Sequence, residues 1–190
     1  KEFFACKYPE MKYLAYFQSF TNTYSSLSTL KKYYESIFEL DNVIGIVVAT
    51  RPDCVDSYLL DYYQDIAKEK YVMIEYGIES TSDVTLQRIN RGHTYSDSIR
   101  AVEETHKRGI NVGAHLILGL PGERETDFIS HAKKINELPL DMLKLHQLQI
   151  VKGTVLEKQW QNGSADLMTF TMNEYIDLCI RFLEQLKPTI

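Results

Sequence analysis

Two hydrophobic patterns alternate along the chain. Runs rich in β-branched and aromatic residues occur at Tyr13–Ser19, Val43–Thr50, Val72–Gly77, Val112–Leu118 and Met142–Ile150, with starts 30, 29, 40 and 30 residues apart. Between them, apolar residues recur every three to four positions, the spacing of one helix face. A strand, a loop and a helix together fill about 30 residues, so the pattern predicts five βα units. Leu27, Leu30, Tyr34 and Phe38 form one helical stripe, and Leu59, Leu60, Tyr63 and Ile66 another beyond the break at Pro52. The 40-residue interval holds two helical pieces, Asp83–Ile89 and Ser96–Arg108, stopped near Gly92 and Gly109. Glu125–Glu137, ended by Pro139, and Thr171–Leu186 complete the helices. Strict βα alternation predicts the α/β class, with a parallel sheet and right-handed crossovers, as in an open doubly wound sheet or a β/α barrel.

Composition narrows the setting. Of 190 residues 44% are hydrophobic and 25% charged, too apolar for a disordered segment, and no linker divides residues 1–190 into more than one domain. A chain of this size buries about 70% of its unfolded surface, so its core needs no disulfide or structural metal. The net charge of −5 argues against a broad grip on nucleic acid, although a local basic patch remains compatible with it. No apolar run approaches the ~20 residues of a membrane span, and no signal peptide is evident, which predicts a cytoplasmic protein without a membrane partner. Cys6, Cys54 and Cys179 fit neither a disulfide framework nor a local metal-ligand spacing. Residue 1 is Lys rather than Met, and Lys1–Lys7 reads as the end of a helix whose beginning is absent, so a piece of a longer chain is expected.

In a parallel sheet of this class ligands bind at the carboxyl ends of the strands. The first end carries Gln18, Ser19, Phe20, Thr21, Asn22 and Thr23, suited to an ammonium or carboxylate and equally to capping and turn roles. At the second, Arg51 beside Pro52 is placed to pair an anion or, alternatively, Asp53 or Asp56. Cys54 has acidic neighbours and no reason for a lowered thiol pKa. Alternation puts Glu75, Gly77 and Glu79 on one side of the third strand, where buried carboxylates need donors or a ligand. Glu79, nearest the mouth, is suited to ribose hydroxyls, or to an internal salt bridge. Arg91 follows, placed to reach inward beside Gly92, and then His93, which reads as helix start and packing or as a ligand group. The run from His115 through Gly119, Pro121 and Gly122 to Glu123 predicts a tight turn where backbone approaches a flat ligand. It matches neither a Walker motif nor the dinucleotide fingerprint. Lys144, His146, Gln147 and Gln149 end the last strand, with backbone suited to an adenine edge.

These strings resemble the radical S-adenosylmethionine superfamily, in its YhcC-like branch, related to elongator-type tRNA-modifying enzymes and oxygen-independent coproporphyrinogen oxidase. The similarity rests on Ala15–Ser19 with Thr21–Thr23, Thr50–Cys54, Glu75–Ser80, Ile89–His93, His115–Glu123 and Leu145-His146, in order over about 140 residues. The resemblance implies a partial β/α barrel of six units, of which five are present. It also implies S-adenosylmethionine as cofactor and, in the parent protein, a [4Fe–4S] cluster on a Cys-x3-Cys-x2-Cys motif expected before Lys1. By position, Ser19, Phe20 and Thr21 resemble the segment holding the methionyl amino end. Glu79 resembles the ribose contact, in place of the commoner glutamine, Arg91 the group near the methionyl carboxylate, and His115 another cofactor contact. Gly119 to Gly122 and the last strand's end, including Gln149, resemble the adenine walls, and Arg51 joins the set of cofactor-binding candidates. No catalytic residue is assigned.

Without that cysteine motif the chain is expected to be inactive in cofactor cleavage, although the resemblance implies that its parent is an Fe–S oxidoreductase served by a reducing electron donor. Residues 13–19 are expected to form an exposed edge prone to self-association. Two rivals remain: an aldolase or isomerase using Glu79 or His115 as base and Lys144 as a Schiff-base candidate, and a non-catalytic nucleotide- or RNA-binding module. The substrate is unassigned, since a shared scaffold does not transfer chemistry.

Overall fold

A computed structural model describes residues 11–190 of the chain; the helix expected at Lys1–Lys7 lies outside them. Five strands, β1 (Tyr13–Phe17), β2 (Val43–Thr50), β3 (Tyr71–Glu79), β4 (Asn111–Leu118) and β5 (Met142–Gln147), lie parallel in sequential order. Helices α1 (Leu27–Phe38), α2 (Ser57–Ala67), α3 (Asp83–Arg88), α4 (Tyr95–Lys107), α5 (Glu125–Ile135), α6 (Val155–Gln161) and α7 (Met172–Leu183) occupy the connections and the end of the chain. Sequential order with crossovers of one hand puts the helices on one face, so the sheet is an unclosed barrel and not a doubly wound sheet.

The core lies between strands and helices. Ile46 and Val48 of β2, Ile74, Tyr76 and Ile78 of β3, and Val112 and Ala114 of β4 are inaccessible to solvent. Tyr34, Tyr63 and Phe128 close the layer from α1, α2 and α5. Truncating Phe128 to Ala would cost about 3–5 kcal/mol. The helices start where the side chains can cap: Ser26, Asp56 and Thr94 each accept from a backbone N–H of the first turn, and Thr94 completes a capping box with Asp97. Helix α4 ends two residues before Gly109, at φ 70°, with Arg108 as its cap.

Alternate residues line the opposite, concave face: Tyr16, Val47, Ala49, Met73, Glu75, Gly77, Gly113, His115, Ile117, Lys144 and His146. Three departures from the predicted pattern bear on the strand ends and the cleft beside them. Strand β1 stops at Phe17 because the Asn22 side-chain amide donates to the carbonyls of Phe17 and Ala49, both at 2.9 Å, and takes over the ladder. Strand β5 stops at Gln147 rather than Ile150, leaving Gln149 in the following loop. Helix α6 was not foreseen: it is seven residues long, buries no side chain, and is held by its Thr154 cap.

Candidate functional site

The concave face is organised by one carboxylate. Glu75 is 3% exposed, and Gly113 on the neighbouring strand makes room for it, since a Cβ there would press on the Glu75 side chain. Its oxygens accept from Tyr16 Oη (2.6 Å), Lys144 Nζ (2.8 and 3.0 Å) and His115 Nε2 (2.8 Å). Lys144 also donates to Tyr16 Oη at 2.9 Å and lies over that ring. Burial alone would raise the Glu75 carboxyl, but the hydrogen bonds from Lys144, Tyr16 and His115 hold it below the ordinary carboxylate range. Burial pushes the His115 pKa down despite Glu75. It pulls on Lys144 the same way, yet the bonds to Glu75 and Tyr16 leave that ammonium above its usual value.

One layer higher, at the strand tips, Glu79 has left-handed backbone (φ 66°) beyond a register shift after Gly77. Its carboxylate nevertheless stays on the Glu75 side, as alternation predicts, and lies 3.1 Å from Arg91 Nη2. Both groups occupy the space above Gly77, where a Cβ would meet Arg91 Nη2 and Glu79 Oε1; Arg91 also donates to the Gly77 carbonyl (3.2 Å). Burial raises the Glu79 carboxyl further than Arg91 lowers it. Arg91 Nε is buried without a hydrogen-bond partner. Such an orphan donor beside the Glu79 carboxylate suits a polar ligand.

The other residues singled out divide into two groups. His115, Glu79 and Arg91 face the concave side together, whereas Arg51 is engaged elsewhere: its guanidinium grips Asp53 (2.9 and 2.5 Å) and reaches the Gly92 carbonyl (3.4 Å), the alternative weighed for it. His93 is buried, and burial with the nearby Arg91 holds its pKa low, in keeping with a packing role. Ser19 and Phe20 are exposed, Phe20 at φ 65°, and Thr21 is half-buried. The holding in that segment is done by Asn22 and by Thr23, whose hydroxyl meets Thr50 Oγ1 (2.5 Å) and the Cys54 carbonyl (2.6 Å). Burial, followed by Asp53, raises the Cys54 thiol, as its neighbours foretold.

The glycine turn forms the rim of a cleft of about 840 Å³ with Asn90, Ile117, Leu120, Leu148 and Leu156 among its walls. Gly119 (φ 92°) and Gly122 (φ 87°) take conformations that side chains resist, and a Cβ at Gly122 would also strike Arg88. Glu123 anchors the turn from beneath, accepting from Ser80 Oγ (2.6 Å) and lying 3.0 Å from His131 Nε2. From the far side Asp166 accepts the Gly122 N–H (2.7 Å), and its carboxylate holds Arg88 and Arg124. Sequence reasoning missed Asp166, Tyr16 and the hub role of Glu75, whereas Asn22 takes the turn role, one of the two readings of its segment. Among the described residues no group of three or more His, Cys, Asp or Glu is placed to hold a metal ion. No helix there is long and apolar enough to cross a membrane.

A parallel half-barrel with charged strand tips and a glycine-rimmed cleft is the architecture of a small-molecule-binding enzyme scaffold. Residues 12–135 match the Radical SAM superfamily and residues 140–190 the Radical_SAM C-terminal domain; the chain belongs to the radical SAM superfamily. It is 39% identical over 153 residues to protein YhcC of Escherichia coli K12, covering 80% of this chain and 50% of that protein. Its fold is that of the Methanocaldococcus infernus Elp3 lacking its N-terminus (TM-score 0.66, 23% identity, 86% of this chain and 37% of that one). Coproporphyrinogen III oxidase HemN of E. coli, a radical SAM enzyme by its description, gives a TM-score of 0.66 at 19% identity over 87% of this chain and 38% of that one. The chain spans about half the length of the curated relatives it matches.

Proposed function

We propose that this chain is the S-adenosylmethionine-binding part, one domain over residues 1–190, of a cytoplasmic radical SAM iron–sulfur oxidoreductase. The carrying observation is the Glu79–Arg91 pair above Gly77, at 3.1 Å, with the unpartnered Arg91 Nε beside it. The residues suit the cofactor: Glu79 would accept from the ribose hydroxyls, Arg91 would face the methionyl carboxylate, and His115 would supply a further contact. The cleft lined by Leu120 and Pro121, between Gly119 and Gly122, and reaching Leu148, next to Gln149, would enclose the adenine, while Ser19, Phe20 and Thr21 would close over the amino end. Arg51, spent on Asp53, would support the loop of Gly92 rather than touch the cofactor.

The described residues do not suit the cluster, since the 190-residue sequence has no Cys-x3-Cys-x2-Cys and, among the described residues, no group of three or more His, Cys, Asp or Glu is placed to hold a metal ion. The cofactor and cluster of this superfamily together supply reductive cleavage of the sulfonium to a 5′-deoxyadenosyl radical. An electron donor would serve the whole protein, and Cys54 and Cys179, both free thiols, agree with a reducing compartment. An aldolase reading is disfavoured by Lys144, which is salt-bridged at 2.8 Å and held above the usual lysine pKa, the reverse of a Schiff-base nucleophile.

Calorimetry of this chain with S-adenosylmethionine tests the reading. Saturable binding is expected, weakened about tenfold or more by Arg91→Met through loss of a charged hydrogen bond. No 5′-deoxyadenosine should form on incubation with iron, sulfide and reductant. Absence of binding by the folded chain would overturn the assignment.

A further inference from the structure

The polar floor around Glu75 lies one layer below the strand tips, and the cofactor reading uses only His115 from it. An ionised carboxylate accepts and cannot donate, so His115 gives it the Nε2 proton and keeps a bare Nδ1, to which no described residue bonds. Tyr16 likewise spends its one proton on Glu75, and Lys144 directs its ammonium at Glu75 and at the Tyr16 oxygen. The protons of His115 and Tyr16 therefore point at the buried carboxylate, and Lys144 divides its own between Glu75 and Tyr16. What His115 and Tyr16 themselves leave toward the open concave side is acceptors: Nδ1 of His115 and a lone pair of Tyr16. Two aromatic faces accompany them, Tyr16, 40% exposed, and His146, whose ring centre is 5.1 Å from that of His115. The floor offers no uncommitted cation to an anion, because the positive charge of Lys144 is matched by Glu75.

We propose that this floor recognises a planar group bearing N–H donors, of the carboxamide or nucleobase-edge class, and that Glu75 is the positioning residue that fixes its polarity. An amide N–H laid across the floor meets the two acceptors while its π-face meets Tyr16 or His146. A carboxylate laid across His115 and Tyr16 meets their lone pairs. The inference rests on the proposed function only in taking the concave side as the substrate side.

Imidazole nitrogen NMR on the whole ¹⁵N-labelled chain at neutral pH tests the first half. His115 is expected as the Nε2–H tautomer with a slowly exchanging Nε2 proton; an Nδ1–H tautomer would overturn the proposal. Benzamide and benzoate, matched in shape and opposite in polarity, test the second. Benzamide should shift the His115 and Tyr16 signals with an affinity about tenfold above that of benzoate, the worth of one hydrogen bond made against one opposed. Equal binding, a preference for benzoate, or no shift with either ends the idea. Glu75→Gln, whose amide both donates and accepts, should reduce the preference to about threefold or less; the wild-type comparison stands if that variant does not fold. Failure of S-adenosylmethionine binding with the benzamide preference intact counts against the cofactor reading alone, and the converse against the floor alone.

Discussion

Lys144→Met removes the only lysine or arginine among the described residues that touches Glu75, and keeps most of the side-chain length. Glu75 is 3% exposed, and stripping one partner from a buried ion pair generally costs about 3–5 kcal/mol. The cost here is smaller for two reasons. Glu75 keeps the Tyr16 and His115 donors, and the Lys144 side chain is 34% exposed, so water already screens part of the attraction. A loss of about 2 kcal/mol is expected, about a 30-fold fall in the folded-to-unfolded ratio. Urea denaturation at about pH 7 and again at about pH 4 measures it. The sign is set by the depressed Glu75 pKa: its stabilisation is full above the unfolded carboxylate value and fades as pH falls through the lower folded value. The gap between wild type and variant should therefore narrow in acid. Adding Glu75→Leu should restore at least half of the loss, because no buried charge is then left unpaired. A variant within about 0.5 kcal/mol of wild type at pH 7, or equally impaired at both pH values, would refute the reasoning.

Asn22→Ala should cost about 1–2 kcal/mol and speed amide exchange in β1, since the Phe17 carbonyl loses the side-chain donor and the Ala49 carbonyl keeps only the longer bond from the residue-22 backbone N–H (3.3 Å); unchanged exchange would count against the clamp. His93 and His115 are both held below the ordinary histidine value by burial, so the unfolded chain takes up protons first. Thermal stability should decline as pH falls below about 6.5, and a flat melting temperature down to pH 5.5 would contradict this. Among the described residues β1 is paired on one side only and carries Leu14 at 45% exposure, so light scattering should detect association that Leu14→Lys abolishes; a monomeric wild type refutes that.

The five strands were legible because a parallel sheet writes itself as apolar runs at regular spacing, and the strand tips were legible because parallel topology gathers them at one end. Alternation was enough to place Glu79 with Glu75, although a register shift intervenes. It was not enough for the hub. Tyr16, His115 and Lys144 lie 59, 40 and 69 residues from Glu75, and only strand order and register reveal that they converge. Arg51 illustrates a different limit: Asp53, two residues on, satisfies it locally, and sequence spacing admits both that pairing and an external anion. The short helix α6 escaped notice because seven residues around Val155 and Trp160 give too few turns for a periodicity to register.

Asp166 belongs to the stretch matched by the C-terminal family domain, yet it grips the backbone of Gly122 and the guanidinium of Arg124 in the stretch matched by the superfamily core. The two matched modules are thus mortised together at the rim of a shared cleft. Recombining this core with a foreign tail would reshape that cleft as well as the tail, so any swap that preserves ligand choice has to carry both halves of the joint.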